Sequence, residues 1–511
     1  MKRTIALSIL FVLMFGAIPA GADEDKVNVD VDLSGYYRMR YDNIFDTGWA
    51  FDSDSDWTSL MDQRLQLNPV LTVNDKISVH MQFDILRNVL FGDNLTVTVP
   101  AVEVVRDEED EDVLMDVDFS TFKLGTGNVF SQDTSNTGKD GSEVPSIEVT
   151  RAWGDVLLPF GRLRVGRQGS HFGMGLFSND GNGTDDDFGD TYDRVAFLTK
   201  IGPVIPALAY DRVMEEEISS GWTDVHQIIG LLYYLSDEFK SGFYFVHRNQ
   251  QSTDSRVFIY DLWIKALLGN FTLEGEGLIV QGSSVQIDHD TVAKLEEEGL
   301  PVGEGGGKIE VDAYLAAARM DYEADWWGAG LEYGFSSPSD PNPDREFDSD
   351  AAAQIALANE YLDQDPDSPK KQIDFINTVV NNQAAFGKKV YTFAFDKDYN
   401  MDLLLWEEIM GGSVKNGMYA IAGGHLKPFD WFKLETCVIK SWINESGKGQ
   451  DGKDADHDLG WEWDTFLNFT MAKHFNLDFQ FGYLWPGPWF EDNFDHVKNV
   501  FTFQTNFVIN F

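Results

Sequence analysis

Polar and apolar side chains alternate with a period of two along much of this chain, most cleanly in its last twelve residues. From Val500 to Phe511, the positions Phe501, Phe503, Thr505, Phe507, Ile509 and Phe511 share one face, while Thr502, Gln504, Asn506 and Asn510 share the other. Successive side chains point to opposite sides only in an extended strand, so the pattern predicts a strand that runs to Phe511. An early stretch repeats it. Val27, Val29, Val31, Leu33, Tyr37, Met39 and Tyr41 take one face, and Asn28, Asp30, Asp32, Ser34, Arg38 and Arg40 the other. Taken alone, such a strand fits a soluble sandwich with its apolar face in a core, or a closed sheet with that face on lipid and the charged one in a lumen.

The connections separate the two. Short links fall at residues 73–76, 158–161, 201–203, 235–238, 268–270, 323–325, 427–430 and 473–476, most with the Gly, Pro, Asn or Asp that tight turns require. Long links, often acidic, lie near 42–58, 88–143, 169–190, 214–224, 249–254, 282–307, 337–416, 444–458 and 486–497. Eight turns and nine loops in strict alternation predict an all-β fold, a transmembrane antiparallel barrel of about eighteen strands, with both termini on the short-turn side. Short turns are then periplasmic and the long acidic loops extracellular. Within the late hairpin, Trp461, Trp463 and Trp485 stand near strand ends, as aromatic girdle residues do at a membrane interface.

The first residues change the picture by adding export. Lys2 and Arg3, an apolar run from Ile5 to Ile18, and Ala20-Gly21-Ala22 have the order of a signal peptide, expected over residues 1–22, which leaves 23–511 for the barrel. No other stretch has eighteen consecutive apolar residues, so a membrane location has to be reached with strands. The loop 337–416 opens with Pro338, Pro341 and Pro343, reads as helical from Ala351 to Leu362, and carries the apolar run Leu403 to Trp406. A connection of that size is expected to cap or plug the mouth.

Charge narrows the partners. With 85 Asp and Glu against 39 Lys and Arg, the chain has a net charge of −46, which argues against nucleic acid. The single cysteine, Cys437, leaves no internal disulfide and no cysteine metal cluster. No nucleophile elbow, zinc-helix, Walker or dinucleotide motif is present and the nine histidines are scattered, so no enzyme is expected.

Three stretches carry a resemblance. Pro159-Phe160-Gly161-Arg162-Leu163-Arg164-Val165-Gly166-Arg167-Gln168 looks like a hairpin of many bacterial porins, and Asn179 to Gly183 running on to Asp187 through Arg194 resembles the loop that follows it in related barrels. Leu459 to Asp464 and Gly482 to Gly487 resemble the late hairpin of the alginate-export barrels. The terminal strand ending on Phe511 resembles the closing strand that the barrel assembly machinery reads in outer-membrane proteins. These resemblances imply a porin of the Gram-negative outer membrane, monomeric or trimeric, in contact with lipid and lipopolysaccharide. It would be a water-filled channel for passive diffusion of small hydrophilic solutes or ions. An exopolysaccharide export channel is one alternative, and a surface adhesion or structural barrel another.

The chemistry expected in the lumen is ionic. Arg38, Arg40, Arg64, Arg162, Arg164 and Arg194 have lumen parity in the first part of the chain, and no arginine follows Arg345. Later strands put Glu274, Glu276, Asp312, Glu332, Glu462, Asp464 and Asp478 on their polar faces. Arginines on one wall and carboxylates on the other predict a field across the pore. The competing expectation is that the arginines pair with Asp30, Asp32 and Asp84 and brace the wall. Between Ser178 and Asp193, the carboxylates Asp180, Asp185, Asp186, Asp187 and Asp190 sit among glycines in a loop placed to fold inward as a constriction. Asp185 and Asp187 are also candidates for a calcium ion, although the loop lacks the Gly and Glu spacing of a helix-flanked calcium loop. No other cofactor is expected. Residues 107–112, all acidic, read as a solvated loop, or as a bridge through divalent cations to lipopolysaccharide.

Overall fold

The computed structural model describes residues 29–51, 57–90, 97–100, 121–124, 147–214, 224–251, 255–285, 308–338, 389–390 and 393–511. The expected signal peptide, the acidic run at 107–112 and the expected helix at 351–362 lie outside them. Among the described residues are eighteen long strands: β1 (Val29–Phe45), β2 (Trp57–Val73), β3 (Ile77–Leu90), β4 (Ile147–Leu158), β5 (Gly161–Gly169), β6 (Thr191–Leu198), β7 (Val204–Met214), β8 (Val225–Leu235) and β9 (Phe239–Gln250) in the first half. The second half holds β10 (Ser255–Leu268), β11 (Phe271–Val285), β12 (Lys308–Glu323), β13 (Trp327–Ser336), β14 (Gly417–Phe429), β15 (Phe432–Ile443), β16 (Asp458–Met471), β17 (Phe475–Pro486) and β18 (Val500–Asn510). Each pairs antiparallel with the next. A two-residue strand, Lys389–Val390, adds in parallel to β12, and a separate hairpin pairs 97–100 with 121–124.

The sheet closes when β18 pairs with β1, from Tyr36 opposite Asn510 to Phe45 opposite Phe501. Phe511 completes the seam by exchanging backbone hydrogen bonds with Gly35, 2.9 and 3.0 Å. A Cβ on Gly35 would lie 2.1 Å from the carbonyl oxygen of Gln66 and 3.1 Å from the Phe511 ring, so the seam needs glycine there. Closure leaves the barrel without an open edge strand among the described residues, the condition for crossing lipid with strands. In the first turn, Asn74 and Asp75 both take positive φ, 51° and 57°, which suits the right-handed twist of the strands it joins.

The outer wall is apolar and the inner wall polar. Val31, Leu33, Leu157, Leu208, Leu262, Ile279 and Leu331 are exposed on the outside, while Arg38, Asp62, Asp84, Asp211 and Glu462 are buried. Aromatics ring both ends of the outer face: Phe160, Trp326, Phe429 and Trp431 toward the turns, Trp57, Trp461 and Trp485 toward the loops. Alternation misleads on β12. There Ala313, Leu315 and Ala317 face inward, so Asp312, expected in the lumen, is exposed on the outward side with Tyr314 and bonds Gln281 at 3.3 Å. The inner face is apolar at that level because loops folded into the barrel bury a hydrophobic cluster against it, including Phe172, Leu176, Phe395, Leu404 and Trp406.

Candidate functional site

Among the described residues, two loops descend into the barrel. The third, 170–190, crosses from one wall to the other. Its first half is apolar: Phe172 stacks on Tyr233 and Tyr244, with ring centroids 5.5 and 5.1 Å away. Leu176 is buried beside it, and its N–H donates to Glu276 Oε1 at 3.2 Å, while Met174 N–H donates to the other oxygen of the same carboxylate. Gly173, at φ 62°, permits this seat, since a Cβ there would stand 2.2 Å from Glu276 Oε2.

The acidic half lies on the arginine wall. Arg38 donates to Thr184 O at 2.6 Å, Asn88 Oδ1 at 2.5 Å and Asp187 Oδ1 at 3.0 Å, and reaches Asp62 at 3.4 Å. Arg40 holds Asp62 and Asp187 at 3.1 and 2.7 Å. Arg64 makes a two-pronged pair with Asp84, 3.2 and 2.8 Å, and donates to Asp186 O at 2.9 Å. Arg151 bonds Asn182 at 2.9 Å and the carbonyl of Asp180. Across the seam Asn506 donates to Asp185 at 2.8 Å. Arg38 and Arg40 each take one oxygen of Asp187, and Arg38, Arg64 and Arg151 hold loop carbonyls, so charge-assisted hydrogen bonds clamp this half of the loop.

The descending part of the seventh loop, 393–416, is the second insert. Asp398 accepts backbone N–H bonds from Asp187 at 2.9 Å, Phe188 at 3.1 Å and Gly189 at 2.5 Å, and Asn179 donates to its carbonyl. Asp396 N–H donates to Leu176 O at 2.8 Å. Beyond it, Glu462 on β16 accepts the N–H groups of Leu403, Leu404 and Leu405 at 3.0, 2.9 and 2.9 Å. Those three donors open a π-helical turn, Leu405–Ile409, whose next free N–H groups, on Trp406 and Glu407, go to Asp402. Helix starts leave such donors unsatisfied, and here two carboxylates take them. Tyr399 and Tyr419 both donate to Glu332, at 2.8 and 2.7 Å.

Several expected residues take other places. Asp30 and Asp32 are exposed near the turn end of β1, so the carboxylates that meet Arg38, Arg40 and Arg64 are Asp62, Asp84 and Asp187. Arg164 is paired with Asp155 at 2.7 Å, with Arg162 3.7 Å from the same carboxylate, and Arg194 is paired with Asp211 at 2.7 Å. The arginine wall is therefore a lattice of ion pairs. Glu274 meets Lys265 and Arg319 at 3.0 and 2.9 Å; Asp464 is buried two residues along β16 from Glu462. Among the described residues no group of three or more His, Cys, Asp or Glu is arranged to hold a metal ion. Cys437 is free and half-buried.

The wall and the two inserts leave a cavity of about 810 Å³, with Arg40 of the clamp among its lining residues. It extends from Glu323 and His425 near the turns, past Glu332, to Asp185, Asp398 and Glu407 in the loops, with Gln480, Gln504 and Asn506 opposite.

The chain matches no known family model, and no curated protein matches it in sequence. Solved structures similar to it include OccAB4 of Acinetobacter baumannii, 10% identical over 96% of this chain and all of that one, with a TM-score of 0.49. OccK9 (OpdG) of Pseudomonas aeruginosa is 9% identical over 94% and 99% of the two chains, TM-score 0.49, and a loop-deletion mutant of the Vibrio cholerae outer-membrane protein OmpT is 11% identical over 94% and 99%, TM-score 0.38.

Proposed function

We propose that this chain is a porin of the Gram-negative outer membrane, a water-filled channel through which small hydrophilic solutes diffuse passively. The observation that carries the reading is a closed eighteen-strand barrel with an apolar exterior between aromatic girdles and a charged interior holding an 810 Å³ cavity. A barrel of this strand number is wide enough for an aqueous channel, and whatever narrows it sets rate and selectivity. The third and seventh loops are the narrowing elements. Phe511 is locked to Gly35 at the seam.

Export of an anionic polysaccharide calls for a basic lining, whereas carboxylates predominate around this cavity. A purely adhesive barrel would have no need of a polar cavity inside. Swelling of liposomes carrying the refolded protein, in an iso-osmotic solution of a small neutral sugar, tests the proposal. Swelling that slows as the sugar grows supports it, and liposomes as tight as protein-free ones overturn it.

A further inference from the structure

Building on the channel reading, we propose that the permeant class of this pore is cationic: small ammonium- or guanidinium-bearing solutes and metal cations in preference to carboxylates and other anions. The charge balance of the open path carries the inference. Among the described residues lining the cavity, ten carboxylates stand against Arg40, Arg319 and Lys433, with His425 as the one histidine. Burial in the loop pushes the carboxyls of Asp402 and Asp185 above the usual range, toward the neutral form. Discounting both still leaves eight acids to three bases.

Arg319, Lys433 and His425 lie against acids already in that count. Arg319 lies 3.2 Å from Asp321 and 3.9 Å from Glu332, Lys433 pairs with Glu435, and His425 lies 3.2 Å from Glu323. Arg38, Arg64, Arg164 and Arg194, which do not line this cavity, have their guanidinium groups against Asp62, Asp84, Asp155, Asp187 and Asp211, and the third loop lies over Arg38 and Arg64. At physiological salt, fields decay over about 8 Å. A cation in the cavity therefore senses the lining acids more than any distant charge. Low-dielectric walls of one sign focus the field and concentrate counter-ions by about tenfold or more. The whole chain, at −46, presents the same sign to solutes approaching from outside.

Reversal potential across a planar bilayer, with the full-length protein under a tenfold KCl gradient, tests this. The expected result is a K⁺ over Cl⁻ permeability ratio on the order of tenfold. The double variant Glu407→Gln/Glu408→Gln, checked for folding by its unheated gel mobility, should lower that ratio severalfold. Asp454→Asn, on an exposed hairpin where its side chain is 83% accessible, should leave it unchanged. Conductance with a ratio near one, or with chloride preferred, overturns the cationic assignment while leaving the channel reading in place. Absence of any conductance from folded barrels overturns both. The wild-type ratio decides the question even if the double variant fails to fold.

Discussion

Asp398 accepts the N–H groups of Asp187, Phe188 and Gly189, so one side chain of the seventh loop holds the turn of the third. Asp398→Ala leaves these donors without that acceptor inside the barrel, at about 1–3 kcal/mol for a buried donor left unmade. The expected outcome is a third loop cut sooner by protease and a noisier open channel; unchanged traces and cleavage would show that the clasp is incidental. Arg38 is the second test. Its side chain is fully buried between Asp62 and Asp187, and breaking a buried pair on one side costs about 3–5 kcal/mol. Arg38→Met should therefore lower the unfolding temperature of the barrel, an effect larger than that of Arg162→Met, whose side chain is 45% exposed and 3.7 Å from its carboxylate. Parity along the strands was enough to put Arg38, Arg40 and Arg64 inside. Their partners were harder to read, because Asp187 lies about 150 residues from Arg38, and Asp398 a further 211 from Asp187. No local spacing encodes either meeting.

Among the elements, strands and turns follow directly from alternation and turn chemistry, because in a barrel each strand pairs with its sequence neighbours. Among the eighteen long strands the seam is the one pairing that does not join sequence neighbours, and Gly35 is a tight point in it. Gly35→Val should slow closure, seen as a smaller fraction of unheated protein running at the compact position on a gel; a wild-type fraction would count against the seam geometry. β12 shows where alternation fails, since the inward Ala313, Leu315 and Ala317 are apolar to receive loops rather than lipid. The run Leu403 to Trp406 was a visible sign that the seventh loop buries something, yet its seat on Glu462 was not.

The loops also carry a pH dependence. Burial pushes Asp396 up to about 7, and Asp186 and Asp190 to about 6, all above an ordinary aspartate. Acids whose folded values are raised favour the packed state most when protonated. Their contribution is complete below about pH 4, and it is lost as pH rises through 6 to 7. Protease cleavage within residues 170–190 should thus be slower at pH 5.5 than at pH 8, after correction for protease activity. Equal or faster cleavage at pH 5.5 would contradict the burial of these carboxyls.

At the scale of the whole molecule, the strict alternation of turns and loops carries the strand count, and the outer apolar band carries the membrane. The position of the open path does not follow from either. It depends on which wall the inserted loops cover, and here they cover Arg38 and Arg64 and leave a cavity lined mostly by acids. The central claim, that this cavity is a continuous aqueous path, is tested most directly by single-channel recording of the refolded, full-length protein in a planar bilayer. The account predicts discrete, long-lived openings whose conductance rises with salt concentration. A barrel folded by circular dichroism and inserted in the bilayer, yet electrically silent at every voltage, would contradict it.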